Sequence, residues 1–221
     1  MADQLAVCAA LGSRQLLGNV KLGLFCSIHC PGKLIVHTYD LVRALRDVGV
    51  TLVGGFHSPM EQECLRLVLR GGSPVIVCPA RCVQDMRLQP EWKPPLQGGR
   101  LLLISPFPPS VRRVTRATAL SRNAFVADLA DVLFVAYADP GGSTERLCRD
   151  ALHHGKRVLT FSVPENQHLI ELGAQPAQDA ATVLRAIGRR SAFHVQQHTG
   201  PGEHAKKDSR SSRFVQSDGV P

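Results

Sequence analysis

The stretch Val132-Leu133-Phe134-Val135-Ala136-Tyr137-Ala138-Asp139-Pro140-Gly141-Gly142-Ser143-Thr144-Glu145 is an apolar run that breaks into a proline- and glycine-rich turn and then into residues that open a helix. A strand apolar at consecutive positions is one covered on both faces, as in a parallel sheet flanked by helices. The run reads as a strand over 132–136, a tight loop, and a helix near 142–154: one βα unit.

The same pattern repeats outward in both directions. Apolar runs at 22–27, 51–53, 74–78, 100–105 and 158–161 supply five more strands. The intervening stretches carry helical periodicity. In the first, Leu41, Leu45 and Val48 mark one face before Gly49 ends it. Ser58-Pro59-Met60-Glu61 has the make-up of a capping box with proline at the first helical position, opening a helix through about Arg70. Helices near 112–129, 142–154 and 178–189 fill the remaining gaps. Residues 82–99, with Trp92 and Pro94-Pro95, read as an irregular loop with a short helix. A short helix is expected around Leu5 to Leu11. The expectation is a Rossmann-like α/β domain: a doubly wound, mainly parallel sheet of about six strands with helices on both faces. It would span 21–190, after an N-terminal extension (1–20) and before a disordered basic tail (191–221).

Composition narrows the function. The chain has 221 residues, 44% of them hydrophobic, enough for one sizeable core. It contains neither a run of roughly 20 apolar residues nor a signal-peptide pattern, so a cytoplasmic protein without membrane attachment is expected. Seven cysteines, scattered through apolar segments, fit reduced buried thiols better than a disulfide framework. The spacings Cys26-x3-Cys30 and Cys78-x3-Cys82 are looser than usual zinc knuckles, so neither a metal nor a cofactor is expected. The formal charge of +8 attracts polyanions without specifying one. Arg189, Arg190, Lys206, Lys207, Arg210 and Arg213 lie among Gly, Ser, Pro and His, and serve either as a nucleic-acid arm or as a solubilising end.

In an open parallel sheet, ligands bind outside the carboxyl ends of the strands. The loops there hold Ser27 and His29; Gly54, Gly55, His57 and Ser58; Ser105; and Gly141, Gly142, Ser143 and Thr144. The last set joins close-approach glycines to a helix start with unpaired amides, which suits phosphate. Its plain structural reading is a turn capped by Ser143 or Thr144. Arg122-Asn123, on the helix before the fifth strand, offers a guanidinium fork for bidentate phosphate binding. Arg112, Arg113 and Arg116 fit a solvated helix face. His29 and His57 could bond phosphate or stand by.

The order of these motifs resembles the DNA-processing protein A (DprA/Smf) group of the SLOG superfamily, from about Leu22 to Ala174. Cys26-Ser27-Ile28 is similar to the family's Gly-Ser-Arg turn, and Arg122-Asn123-Ala124 to its Arg-Asn-Arg segment. Pro140-Gly141-Gly142-Ser143-Thr144 matches its Ser-Gly turn. Asn166-Gln167-His168-Leu169-Ile170-Glu171-Leu172-Gly173-Ala174 matches its closing Asn-x-Leu-Ile-x-x-Gly-Ala nearly throughout. Ile28 or His29 and Ala124 stand where the family has arginines, and no winged-helix pattern follows. The resemblance implies a non-catalytic protein that binds single-stranded DNA or a nucleotide-derived ligand at the carboxyl edge, with a RecA-type recombinase as partner and a homodimer by analogy. Arg122 with Pro140 to Glu145 also resembles, in contracted form, the site of LOG-type phosphoribohydrolases. That alternative makes Arg122 and Glu145 catalytic. A third reading is a nucleotide sensor with a protein partner.

Overall fold

The computed structural model describes residues 9–196, and side chains through residue 188. Eight strands form one sheet: β1 (Ala9–Gly12), β2 (Lys21–Cys26), β3 (Thr51–Gly54), β4 (Val75–Val77), β5 (Leu101–Ser105), β6 (Val132–Tyr137), β7 (Arg157–Phe161) and β8 (Gln175–Ala177). Their order is β1-β5-β4-β3-β2-β6-β7-β8. Every pairing is parallel except that of β1 with β5. The helices are α1 (Gly32–Leu45), α2 (Pro59–Leu69), α3 (Lys93–Gln97), α4 (Arg116–Leu129), α5 (Ser143–His153), α6 (Gln167–Glu171) and α7 (Ala180–Gln196).

Successive strand residues point to opposite faces, and here both faces are apolar. Leu22, Leu24, Leu52, Val75, Leu103 and Phe134 pack with α1, α2 and α7. Their neighbours Phe25, Val53, Ile76, Leu102, Leu133 and Val135 pack with α4 and α5. The continuous apolar runs are thus two interleaved cores. Five of the six described cysteines are buried thiols, four of them within these cores, and Cys30 is half-buried.

Six strands were expected and eight are present. The missed pair are the edges. Ala9 to Gly12 pairs antiparallel with β5, where a short helix was expected around Leu5 to Leu11; residues 1–8 lie outside the described residues. Pairing with the open edge of β5 overrides local propensity. Gly12, at φ 109°, has no room for a side chain: a Cβ would lie 2.3 Å from the Leu101 carbonyl oxygen. β8 contains Pro176, which an edge strand tolerates because one side of its ladder is empty.

Three helix boundaries also differ. α1 stops at Leu45, leaving Val48 half-exposed beyond it instead of on its buried face. α4 begins at Arg116 instead of 112, because Thr115 caps it in a reciprocal capping box with Thr118. α7 runs on to Gln196. The remainder of the basic tail, 197–221, lies outside the described residues. α2 opens as expected, with Ser58 and Glu61 completing the capping box. Among the described residues no helix is long and apolar enough to cross a membrane.

Phe134 is fully buried at the centre of β6 and stacks edge-on against Phe161 at 4.9 Å. Phe134→Ala is expected to lower unfolding free energy by about 3–5 kcal/mol in urea titration. A cost under about 1 kcal/mol would contradict a close-packed sheet centre.

Candidate functional site

β2 is the point from which the sheet grows both ways, through β3, β4 and β5 on one side and β6, β7 and β8 on the other. The loops after β2 and β6 part there, leaving the crevice in which open parallel sheets hold ligands. A cavity of about 560 Å³ lies at this position, in the range of small-molecule sites.

Its frame is built on Glu61. One carboxylate oxygen accepts from the Cys26 amide at 3.0 Å. The other accepts from the amides of His57 at 2.8 Å and Ser58 at 3.0 Å. The Ser58 hydroxyl in turn accepts from the Glu61 amide at 3.2 Å. The capping box therefore reaches beyond its own helix and clasps the end of β2. Across the crevice the Ser27 hydroxyl accepts from the Asp139 amide at 2.9 Å, tying the loop after β2 to the loop after β6.

Arg122 forms the floor. Although it comes from a helix, it is only 4% exposed. Nη1 donates to the Cys78 carbonyl at 3.1 Å, and Nε donates to the Asn123 side-chain oxygen at 2.7 Å. Its guanidinium passes so close to Gly55 that a Cβ there would fall 1.8 Å from Nη1. The second glycine of the pair is thus needed for arginine packing. Burial draws the Arg122 pKa below its ordinary value, against the pull of the Glu61 carboxylate, and an arginine so shifted still carries its charge at neutrality. Among the described residues, every ion pair lies elsewhere. Beside this charge the first turn of α5 presents Ser143 and Thr144 to the cavity, and the first amides of a helix have no intrahelical acceptor.

The α5 cap departs from expectation. Gly142 occupies the capping position without a side-chain bond, so neither Ser143 nor Thr144 caps. Glu145 instead braces the turn before the helix: one oxygen accepts from the Gly141 amide at 2.6 Å and the other from Arg149 at 2.6 Å. The Gly141 amide and the Arg149 guanidinium hold its carboxyl below the usual carboxylate range. Gly141 takes φ 71°, and a Cβ on Gly142 would meet the Asp139 carbonyl oxygen at 2.8 Å, so both glycines shape the turn.

Of the residues singled out from sequence, Ser27, His29, His57, Ser58, Arg122, Asn123, Ser143 and Thr144 line the cavity. Gly54, Gly55, Ser105, Gly141, Gly142 and Glu145 lie outside its wall. Ser105 is buried, donating to the Arg81 carbonyl at 2.8 Å and accepting from the Phe107 amide at 3.1 Å. Residues that sequence reasoning passed over as site members also contribute: Glu61, Asp139, Arg116, Ile28, Val114 and Leu120. Glu61 left a signal in its capping-box spacing, but nothing in that spacing pointed to Cys26.

The fold and crevice define a Rossmann-like domain whose polar groups converge at the switch point. No protein-family profile matches the sequence, and no curated protein does. Among solved structures, the DNA-processing protein A of Streptococcus pneumoniae superposes with a TM-score of 0.67 at 19% identity, covering 80% of this chain and 64% of its own. The chain thus spans a little under two thirds of that protein's length. The DNA-processing protein A of Helicobacter pylori, described for its single-stranded DNA binding mode, gives 0.68 at 18% identity over 82% of this chain and 86% of its own. The molybdenum cofactor carrier protein of Chlamydomonas reinhardtii gives 0.53 at 16% identity over 79% and 99%. The chain shares the Rossmann-like fold of these proteins.

The close approach of Arg122 to Gly55 yields a test. Gly55→Ala should cost roughly 2 kcal/mol of stability by displacing a buried guanidinium, but well under 1 kcal/mol in a chain already carrying Arg122→Ala. Additive costs in the double-mutant cycle would contradict the packing.

Proposed function

We propose that this crevice binds the phosphate of a single-stranded DNA or nucleotide-derived ligand, without catalysis. The observation that carries the reading is Arg122: a buried arginine that lines the cavity together with the first turn of α5, outside ion-pair distance of any described carboxylate. A buried charge is costly until an opposite charge reaches it, so an incoming phosphate gains a fork donor and helix amides together. The exposed Arg116 lines the cavity, and the exposed Arg112 and Arg113 lie a few residues before it in the loop that leads into α4. The formal charge of +8 and the fold shared with a protein described for single-stranded DNA binding point the same way. A RecA-type recombinase as partner and a homodimer remain the resemblance's two further expectations.

The hydrolase alternative needs Glu145 free and facing the ligand. Both its oxygens are engaged, its carboxyl is held ionised, and it lies outside the cavity wall.

Titration of a fluorescent single-stranded oligonucleotide at several salt concentrations tests the reading. Arg122→Gln should weaken binding about tenfold or more and flatten the salt dependence by about 0.7 in log–log slope, one phosphate contact. Glu145→Gln should leave affinity within about twofold. Free base released from nucleoside monophosphates and abolished by Glu145→Gln, with oligonucleotide affinity indifferent to Arg122, would overturn the proposal.

A further inference from the structure

Large apolar side chains scattered singly over a surface need no explanation. Here they are not scattered evenly. Six are well exposed among the described residues, and three of them, Ile28 at 64%, Val114 at 49% and Leu120 at 44%, line the one cavity that holds Arg122. They come from separate pieces of chain. Ile28 lies in the loop after β2, Val114 in the loop before α4, and Leu120 on α4 itself. Two separate stretches of chain, the loop after β2 and the segment that enters α4, therefore bring apolar side chains to the cavity that Arg122 also lines.

That pairing restricts the ligand. Inorganic phosphate or a carboxylate would use the floor and leave the rim wet. A lipid or an apolar peptide segment would use the rim and leave the guanidinium uncompensated. A nucleotide unit carries both parts, an anionic phosphate and a flat heterocycle with two apolar faces. Aliphatic side chains pack on such faces by dispersion, and the rim supplies no polar code with which to tell one base from another.

We propose that Ile28, Val114 and Leu120 form a nucleobase clamp over the phosphate-binding floor, so that the crevice selects a nucleotide unit with its base in place. The clamp rests on the phosphate reading of the preceding subsection. It explains what the floor alone does not: why three exposed apolar side chains gather at a basic site. It also gives Ile28, which with His29 is one of the two residues at the position of the family's first-turn arginine, a contact with the base instead of with phosphate.

The test compares two competitors against the full-length chain at one salt concentration: an oligothymidylate and an abasic strand of the same length and charge. The native protein should prefer the oligothymidylate by about tenfold, the scale of one stacked base. Ile28→Ser and Leu120→Ser, both at exposed positions and expected to leave thermal unfolding unchanged, should erase that preference while keeping the abasic affinity. Equal affinity of the native protein for the two strands, with binding still dependent on Arg122, overturns the clamp and leaves the phosphate site standing. A preference that survives both substitutions overturns it as well, because the base would then lie elsewhere. Failure of both strands to bind defeats the phosphate reading, and the clamp falls with it.

Discussion

Three backbone amides converge on one carboxylate at the carboxyl edge of the sheet. By accepting from Cys26, His57 and Ser58, Glu61 joins the end of β2, the loop after β3 and the start of α2 into one unit. A buried amide without a partner costs on the order of 1–3 kcal/mol, so the loops on this side of the crevice are set by that carboxylate. The backbone between its partners is bent to suit. Phe56, flanked by Gly55 and His57, takes φ 47° while burying its ring in the core, a conformation that costs a non-glycine residue roughly 1 kcal/mol or more.

On this frame the positive charge of Arg122 is held still. The missing side chain of Gly55 admits the guanidinium, the Cys78 carbonyl and Asn123 orient it, and burial keeps water from screening it. The arrangement places a fixed cation and a helix start on two walls of a single crevice. The fold alone does not choose what enters, since it is shared by DNA-processing proteins and by a molybdenum cofactor carrier. The choice falls to the rim and floor of this chain, where apolar side chains and an arginine are brought together from α4 and the two loops beside it.

The central strands were legible because their burial on both faces writes itself as an unbroken apolar run. The edges β1 and β8 were not, because four and three residues give no periodicity and their pairing depends on what lies beside them. The most complete motif match, from Asn166 to Ala174, proves to report architecture. Asn166 donates to the Ala136 carbonyl at 2.9 Å, Leu169 and Ala174 are buried, and Gly173 takes φ 110° to end the turn. Arg122 was recognisable as a fork near a strand end, but its depth was not, since burial of a helical arginine depends on a glycine 67 residues away in sequence. Hydroxyls misled for a related reason. Ser105 spends its hydrogen bonds within the protein, and neither Ser143 nor Thr144 caps α5: Gly142 holds the capping position, and the Glu145 side chain reaches back four residues to the Gly141 amide. The rim of Ile28, Val114 and Leu120 was not legible as a rim because it exists only where the loop after β2 meets the segment entering α4.

The most direct measurement is a crystal structure of the protein with a short oligothymidylate bound. The account predicts a phosphate oxygen about 3 Å from the Arg122 guanidinium and within reach of the first amides of α5. A strand bound away from the carboxyl edge of the sheet, with the cavity over Arg122 still empty, would contradict it.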